Sequence, residues 1–330
     1  MKVKVLTHSP HSLSFGGFEY QMINAMNASM DAGVDISPLD FWSKDSNYNI
    51  LQCWGLSEAH LPSITFGRAS GKKIVISALL PYLSTRLRLS SMVNSFLNKS
   101  SIIDDVISKI DILVLVNEEQ ANTACKIYGF ERNKIKIIPN IVDKIFFTED
   151  NVEDEDGFQG FKDYVICVGA ISSRKNQLLL AQASEDQAIP ILFIGSGLPG
   201  EEAYLSTFCK YINDYPHLKW IDGIKSGSKE LMNAYRNSIG FALASYNETQ
   251  PISALEAAAM AKPLLLSNLS WAKQDLYNNS YLVDPYSKES IREGLNKIKD
   301  NKVMQSLKPF ACNSSFVGAS YKELYASLIE

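Results

Sequence analysis

The sequence predicts an α/β protein made of two doubly wound, parallel-sheet domains, and three observations carry that prediction. Short apolar runs alternate with helical stretches through both halves of the chain, the rhythm of strands whose two faces are both covered. The chain is 330 residues long, too long for one core and suited to two domains of ordinary size. A dense acidic run, Thr148-Glu149-Asp150-Asn151-Val152-Glu153-Asp154-Glu155-Asp156-Gly157, breaks the rhythm near the middle, as a solvated linker does. These features place a first domain at residues 1–147, the acidic linker at 148–160, a second domain at 161–312 and a terminal helix at 313–330.

Composition limits the classes of function. Apolar residues make up 46% of the chain and the net charge is −4, which describes a soluble globular protein. With no basic excess, nucleic acid is not the implied partner. The five cysteines, Cys53, Cys125, Cys167, Cys209 and Cys312, are scattered, odd in number and without a C-x-x-C pair. They fit reduced thiols, most of them buried as small hydrophobes, rather than a disulfide framework or a zinc site. The first residues enter a strand at once, no apolar run approaches the length of a membrane span, and a cytoplasmic protein is expected.

In the first half, Val3 to Leu6 reads as the opening strand, followed by a loop from Thr7 to Gly17 that holds His8, His11 and the pair Gly16-Gly17. A helix follows with Phe18, Met22, Met26 and Met30 at roughly helical spacing, read as a core stripe, until Gly33 stops it. Val34 to Phe41, Ile50 to Trp54, Lys73 to Ser77 and Asp111 to Val116 are the next strand candidates, the last leading into a helix start at Asn117. Ser84 to Lys99 places Arg86, Arg88 and Lys99 among apolar residues, an amphipathic helix expected to pack on the sheet. Gly16 and Gly17 lie where strand gives way to helix, so they either let a ligand approach the backbone or make a tight turn.

The second half repeats the rhythm with strands at Tyr164 to Val168, Pro190 to Ile194, Leu218 to Ile221, Ile239 to Ala244 and Leu264 to Ser267. Its most informative stretch runs from Ala244 to Ser267: a strand, a loop carrying Glu248, a helix opening near Gln250 or Pro251, and a second strand from Pro263. The Ala-rich run Ala254 to Ala261 favours helix, and proline is tolerated in a first turn. The loop therefore ends on a helix N-terminus, whose unpaired N–H groups near Ile252 and Ser253 can seat a diphosphate. Arg174 and Lys175 follow the first strand of this half, where cations reach an anion in a crevice at the strand ends.

Glu248 and Glu256, separated by seven residues, with the Ala-rich helix and the Lys262-Pro263 strand start, resemble the donor site of the retaining GT-B glycosyltransferases, the large family that includes bacterial mannosyl-, glucosyl- and N-acetylglucosaminyltransferases. Val168-Gly169-Ala170-Ile171-Ser172-Ser173-Arg174-Lys175-Asn176 resembles that family's strand, glycine turn and phosphate clamp. Ile135 to Asp143 with Pro139-Asn140 resembles its interdomain strand and turn, and Phe15-Gly16-Gly17-Phe18-Glu19 its first glycine loop. The resemblance implies two Rossmann-like domains facing a cleft, the first for an acceptor and the second for a nucleotide-diphospho sugar, and a chain end that returns to the first domain. It implies that Glu248 acts on the donor sugar as the catalytic carboxylate and that Glu256 accepts bonds from the ribose. Arg174, Lys175, Gly195, Ile252 and Ser253 would hold the donor, as would Gly16 and Gly17, while His8 and His11 would meet the acceptor or the leaving phosphate. No metal or other cofactor is expected. The implied partners are a nucleotide sugar and a glycan or lipid-linked acceptor, with peripheral contact at the inner membrane face through the Ser84 to Lys99 helix.

Three departures stand out: Ala170 replaces the arginine the family carries after the glycine, Lys73 to Pro81 lacks its histidine, and Ser267-Asn268-Leu269-Ser270-Trp271 lacks its glycine pair. Rival signals exist as well. Gly195-Ser-Gly197-Leu-Pro-Gly200 is a literal G-x-G-x-x-G with Asp222 beyond it, pointing to a nicotinamide-dependent oxidoreductase, yet it follows the second strand of its domain rather than the first. Asp154-Glu155-Asp156 is a literal D-x-D inside the charge run, where it reads as solvated linker. A sugar-nucleotide-binding protein without turnover is the third class.

Overall fold

The computed structural model describes residues 1–13, 16–82, 102–148 and 157–329. The Ser84 to Lys99 stretch and the acidic run with Asp154-Glu155-Asp156 lie outside the described residues. The chain forms two compact units: Met1–Ile141 together with Ala311–Glu330, and Val142–Phe310.

The first unit is a six-stranded sheet of β1 (Lys2–Thr7), β2 (Asp35–Pro38), β3 (Ile50–Trp54), β4 (Lys73–Ser77), β5 (Ile112–Leu115) and β6 (Ile135–Ile137), in the order β2-β1-β3-β4-β5-β6. Every pairing is parallel, with Val3 opposite both Ile36 and Ile50. Helices α1 (Gly17–Asp31), α2 (Leu61–Ala69), α3 (Ile102–Ser108) and α4 (Glu118–Tyr128) alternate with the strands. Successive strand residues fall into two cores, as strand alternation requires. Val3, Val5, Ile50 and Val75 pack with Met22 of α1, whereas Leu6, Leu51, Ile74 and Ile76 pack with Ile64, Val106 and Ala121.

The second unit repeats the plan with β7 (Val165–Val168), β8 (Ile191–Ile194), β9 (Leu218–Ile221), β10 (Gly240–Leu243), β11 (Leu264–Ser267) and β12 (Tyr281–Val283), in the order β12-β11-β10-β7-β8-β9. All its pairings are parallel too. Its helices are α5 (Gln177–Ala183), α6 (Glu202–Asp214), α7 (Lys229–Arg236), α8 (Ile252–Ala259) and α9 (Lys288–Lys299). The last helix, α10 (Ser314–Ala326), belongs to the first unit.

Four local expectations are corrected. The methionine stripe is only partly core: Met22 is buried, Phe18 and Met26 are half-buried and Met30 is exposed. A four-residue step advances the helix by about 400°, so each methionine drifts about 40° from the last and the fourth leaves the face. The strand expected to reach Phe41 ends at Pro38, because the Asp40 carboxylate accepts from the Trp42 N–H at 2.9 Å and turns the chain, leaving Phe41 and Trp42 exposed. Helix α8 opens at Ile252, with Pro251 extended before it as the cap whose carbonyl accepts the first N–H bonds. In α10, Tyr321, Leu324 and Tyr325 are buried but Phe316 is exposed. All five cysteines are free thiols; Cys53, Cys167 and Cys312 are buried, and burial pushes each up to about 12. Among the described residues no helix is long and apolar enough to cross a membrane.

Helix α10 is fastened to the sheet by a buried polar network, since polar groups enclosed in a core need partners. Tyr325 Oη donates to Gln52 Oε1 at 3.1 Å, Gln52 Nε2 donates to Ser77 Oγ at 3.0 Å, and Tyr321 Oη lies 3.1 Å from the same hydroxyl. Gly318 lets α10 lie directly on α1: a Cβ there would sit 2.1 Å from the Ala28 carbonyl oxygen. Gly318→Ala is expected to force the helices apart at a cost of about 1–3 kcal/mol. Urea unfolding followed by tryptophan fluorescence should show an earlier midpoint, and an unchanged midpoint refutes the close contact.

Candidate active site

In an open α/β sheet, ligands collect where the strand order reverses, outside the carboxyl ends of the strands. In the second unit the chain steps from β7 to β8 and β9 on one side, then crosses to β10 on the other. The crevice at the carboxyl ends of β7 and β10 receives two loops, Gly169 to Asn176 and Ala244 to Pro251.

The first loop is shaped by close backbone approach. Gly169 has φ +145° and Gly195 φ +149°, and a Cβ on Gly195 would lie 2.2 Å from the Gly169 carbonyl oxygen. Gly195, expected to touch the donor, thus keeps the loop after β8 against the loop after β7. A single 3-10 turn, Ser173–Lys175, then presents both cations and ends on Asn176 at φ +59°. The Asn176 side chain donates to the carbonyls of Ala244 (3.1 Å) and Pro285 (2.8 Å), tying the turn to the ends of β10 and β12.

Glu248 meets that turn. Its Oε1 lies 2.9 Å from Lys175 Nζ and 2.9 Å from an Arg174 guanidinium nitrogen, and accepts from Ser245 Oγ at 3.1 Å. Lys175 is 12% exposed and Glu248 10%, whereas Arg174, at 46%, keeps part of its guanidinium in solvent. Burial works to push the Glu248 carboxyl up, but Lys175 and Arg174 outweigh it and hold the group below the ordinary glutamate range. The loop behind Glu248 is braced by Ser267 Oγ, which donates to the Ser245 carbonyl at 2.7 Å, and by Gln274 Nε2, which donates to the Thr249 carbonyl at 2.8 Å. Tyr246 and the exposed Tyr286 stack with ring centroids 4.8 Å apart.

Glu256 sits in a different medium. It is buried in α8, and that burial pushes its carboxyl up to about 8, with the Asp143 charge adding to the effect. Tyr235 Oη lies 2.9 Å from Glu256 Oε2 and 3.1 Å from the Ser253 carbonyl. One hydroxyl proton serves one of these contacts. Tyr235 Oη donates to Glu256 Oε2, a bond that favours the charged carboxylate and works against the effect of burial. Ile252 and Ser253 occupy the first turn of α8, where N–H groups lack intrahelical acceptors.

The remaining expected residues lie in the first unit. Gly16 and Gly17 start α1, and neither has a positive φ. A Cβ on Gly16 would make ordinary contact with Glu19, so the backbone there has no special need of glycine. His8 follows β1 and faces Glu19, and His11 lies in the same loop. Sequence reasoning missed Asn176, Ser245, Tyr235 and Gln274, whose roles come from distant elements and leave no local signal. Gly195-x-Gly197-x-x-Gly200 follows β8, one strand away from the switch point, and a Cβ on Gly197 would strike Leu205 at 2.4 Å, so that glycine serves packing of α6. Among the described residues no group of three or more His, Cys, Asp or Glu could hold a metal ion.

Two parallel six-stranded sheets with cations at a strand-order switch define a class of doubly wound α/β folds, and comparison narrows the class. Residues 149–311 match the family model described as glycosyl transferases group 1. HepE from Anabaena in complex with UDP superposes with a TM-score of 0.74 at 13% identity, covering 99% of this chain and 100% of that one. Sucrose-phosphate synthase from Thermosynechococcus elongatus gives 0.74 at 13% identity, covering 100% and 99%, and a glycosyltransferase from Rickettsia africae 0.71 at 13%, covering 99% and 98%. The fold is therefore GT-B. No curated protein matches this sequence.

The two acids give a pH signature. Glu256 in the folded protein keeps its proton up to about 8, whereas the unfolded chain loses it near 4.5. Its contribution is complete below 4.5 and is lost as pH rises through 8, because the folded state binds more protons in that window. Urea midpoints should fall less steeply between those pH values in Glu256→Gln than in the unaltered chain; parallel slopes would show that Glu256 ionises normally.

Proposed function

We propose that this protein is a retaining glycosyltransferase that moves a sugar from a nucleotide-diphospho sugar to a hydroxyl of a glycan or lipid-linked acceptor. The observation that carries the reading is the cluster at the β7/β10 switch point in which buried Glu248 and Lys175 meet the half-exposed Arg174, beside the N-terminus of α8. Breaking the bond between the anomeric carbon and the diphosphate develops negative charge on the leaving group. Cations and N–H dipoles already in place stabilise that charge without reorganising. Lys175, Arg174 and the amides of Ile252 and Ser253 fill this role, so no metal is required for the step. Glu248 orients the donor sugar and Glu256 takes the ribose. The acceptor oxygen bonds to the anomeric carbon on the face the diphosphate leaves, and its proton passes to a departing phosphate oxygen, so the balance closes without a protein base.

HepE has been crystallised with UDP and glucose and with UDP-glucose, which favours a uridine donor as the first candidate. The nicotinamide reading lacks comparable support, since its glycine fingerprint lies away from the switch strand. The working location is the cytoplasm, with contact at a membrane surface wherever the acceptor is lipid-linked.

Calorimetry with UDP tests the donor seat. Lys175→Met removes a charged hydrogen-bond partner worth about 1.5–3 kcal/mol and should weaken UDP roughly ten- to hundred-fold. Glu248→Gln should leave UDP affinity nearly intact and lower kcat, since its contacts matter most as the bond to phosphate breaks. Equal UDP affinity in Lys175→Met and the unaltered protein, or NAD binding in place of UDP, sinks the proposal; an inverted product anomer by NMR sinks retention alone.

Protonation gives an independent check on Glu256. A ribose hydroxyl donating to that carboxyl favours its charged form, so at neutral pH nucleotide binding should release a proton. Titrations in two buffers of different ionisation enthalpy should differ in apparent heat for the unaltered protein and agree for Glu256→Gln. Identical heats for the unaltered protein would remove Glu256 from the ribose site.

A further inference from the structure

The literal G-x-G-x-x-G run after β8 lies one strand from the switch point, yet its loop is fastened to the turn that carries both cations. The Ile171 N–H donates to the Ser196 carbonyl at 2.8 Å, and the Leu198 N–H donates to the Ile171 carbonyl at 3.0 Å. Ile171, itself buried, and Gly197 thus form a parallel bridge beyond the ends of β7 and β8. Gly200 then turns the chain at φ +88°, and no atom lies within 4 Å of where its Cβ would be, so the glycine supplies backbone conformation rather than room. The Glu201 N–H closes that turn on the Leu198 carbonyl at 3.1 Å.

The turn brings Glu201 back to the cations' loop. Its Oε2 accepts the Ser173 N–H at 2.5 Å. Ser173 opens the 3-10 turn Ser173–Lys175, and the first N–H groups of such a turn find no acceptor within it. Ser172, in the capping position, makes no side-chain cap bond, so the acceptor comes from Glu201, 28 residues further along the chain. At the middle of the turn the Arg174 carbonyl accepts the Tyr246 N–H at 2.9 Å, and at its end Asn176 holds the carbonyls of Ala244 and Pro285. Both cations that meet Glu248 stand on this one turn, so whatever fixes the turn fixes the pair.

We propose that Glu201 is a positioning residue for the donor diphosphate: it fixes the start of the turn so that Arg174 and Lys175 face the crevice, and the G-x-G-x-x-G loop is the mould that brings it there. In naming the diphosphate the proposal rests on the glycosyltransferase reading, whereas the hold on the turn belongs to the second unit by itself. Glu201 acts through the Ser173 amide and not on the ligand, since a carboxylate meeting a diphosphate directly would repel it. Its working feature is an oxygen that accepts a hydrogen bond at this reach. Glutamine keeps that oxygen and alanine does not, so the two substitutions separate the bond from the charge.

Calorimetry with UDP on the full-length protein tests the first half of the proposal. Glu201→Ala should weaken UDP roughly tenfold, because preset groups lose much of their effect when displaced by a fraction of an ångström, while Glu201→Gln should bind UDP at least as tightly as the unaltered protein. Urea midpoints of the three proteins should agree. Hydrogen exchange at the Tyr246 amide, followed in protein labelled with nitrogen-15 tyrosine, reads the turn without any ligand: it should quicken in Glu201→Ala and return to the unaltered rate in Glu201→Gln. Unchanged UDP affinity in Glu201→Ala, an equal loss in both variants, an unchanged Tyr246 rate, or a lower urea midpoint in Glu201→Ala overturns the proposal. If UDP fails to bind even the unaltered protein, the donor reading falls, and the Tyr246 rate still decides whether Glu201 holds the turn.

Discussion

A carboxylate enclosed by protein must be compensated, and the compensation of Glu248 sets the geometry of the second unit's carboxyl edge. Removing such a group from water costs several kcal/mol, and a single poorly placed cation does not return it. Here Lys175 and Arg174 approach the same oxygen from one 3-10 turn, while Ser245 donates a third contact. Holding both cations requires the turn to stop abruptly, and Asn176 in the left-handed region stops it while its amide reaches the ends of β10 and β12. The positive-φ glycines Gly169 and Gly195 follow from the same demand, because the loops after β7 and β8 must touch without side chains between them.

Glu256 shows what happens to a carboxyl on the same segment without that compensation. Eight residues on, with a tyrosine hydroxyl instead of two cations, burial dominates and the acid is pushed to about 8. One glutamate is thus kept charged and the other kept close to neutral by surroundings alone. Under the function proposed above, the contrast would give the two acids different jobs: a charged group whose cations can turn to an arriving diphosphate, and a near-neutral one that can change protonation as hydroxyls arrive.

Much of this was legible in the sequence, for a physical reason. Strands Ile50–Trp54 and Lys73–Ser77 could be bounded to the residue because each is a mainly apolar, mainly buried run entered from a polar residue. The meeting of Arg174, Lys175 and Glu248 needed only two short stretches and the rule that parallel strands gather their carboxyl-end loops. What stayed hidden depends on contacts between distant residues. Tyr235 reaches Glu256 across 21 positions and Asn176 reaches Pro285 across 109, and neither residue type carries a local mark. The glycine pair Gly16-Gly17 has backbone angles open to other residues, whereas Gly55, which no pattern singled out, has φ +94° and packs against His8.

The two sheets, read by strand order, explain why a literal dinucleotide fingerprint carries no weight here. A G-x-G-x-x-G run serves a pyrophosphate only when its turn opens onto the crevice made by the reversal of strand order. In the second unit the reversal falls between β7 and β10, and the fingerprint follows β8, where Gly195 and Gly197 are consumed by contacts with Gly169 and Leu205. The first unit reverses between β1 and β3. Each unit therefore has one place where the ends of its strands part and polar groups can converge. In the second that place holds two cations and a charged carboxylate; in the first it holds an imidazole backed by a carboxylate.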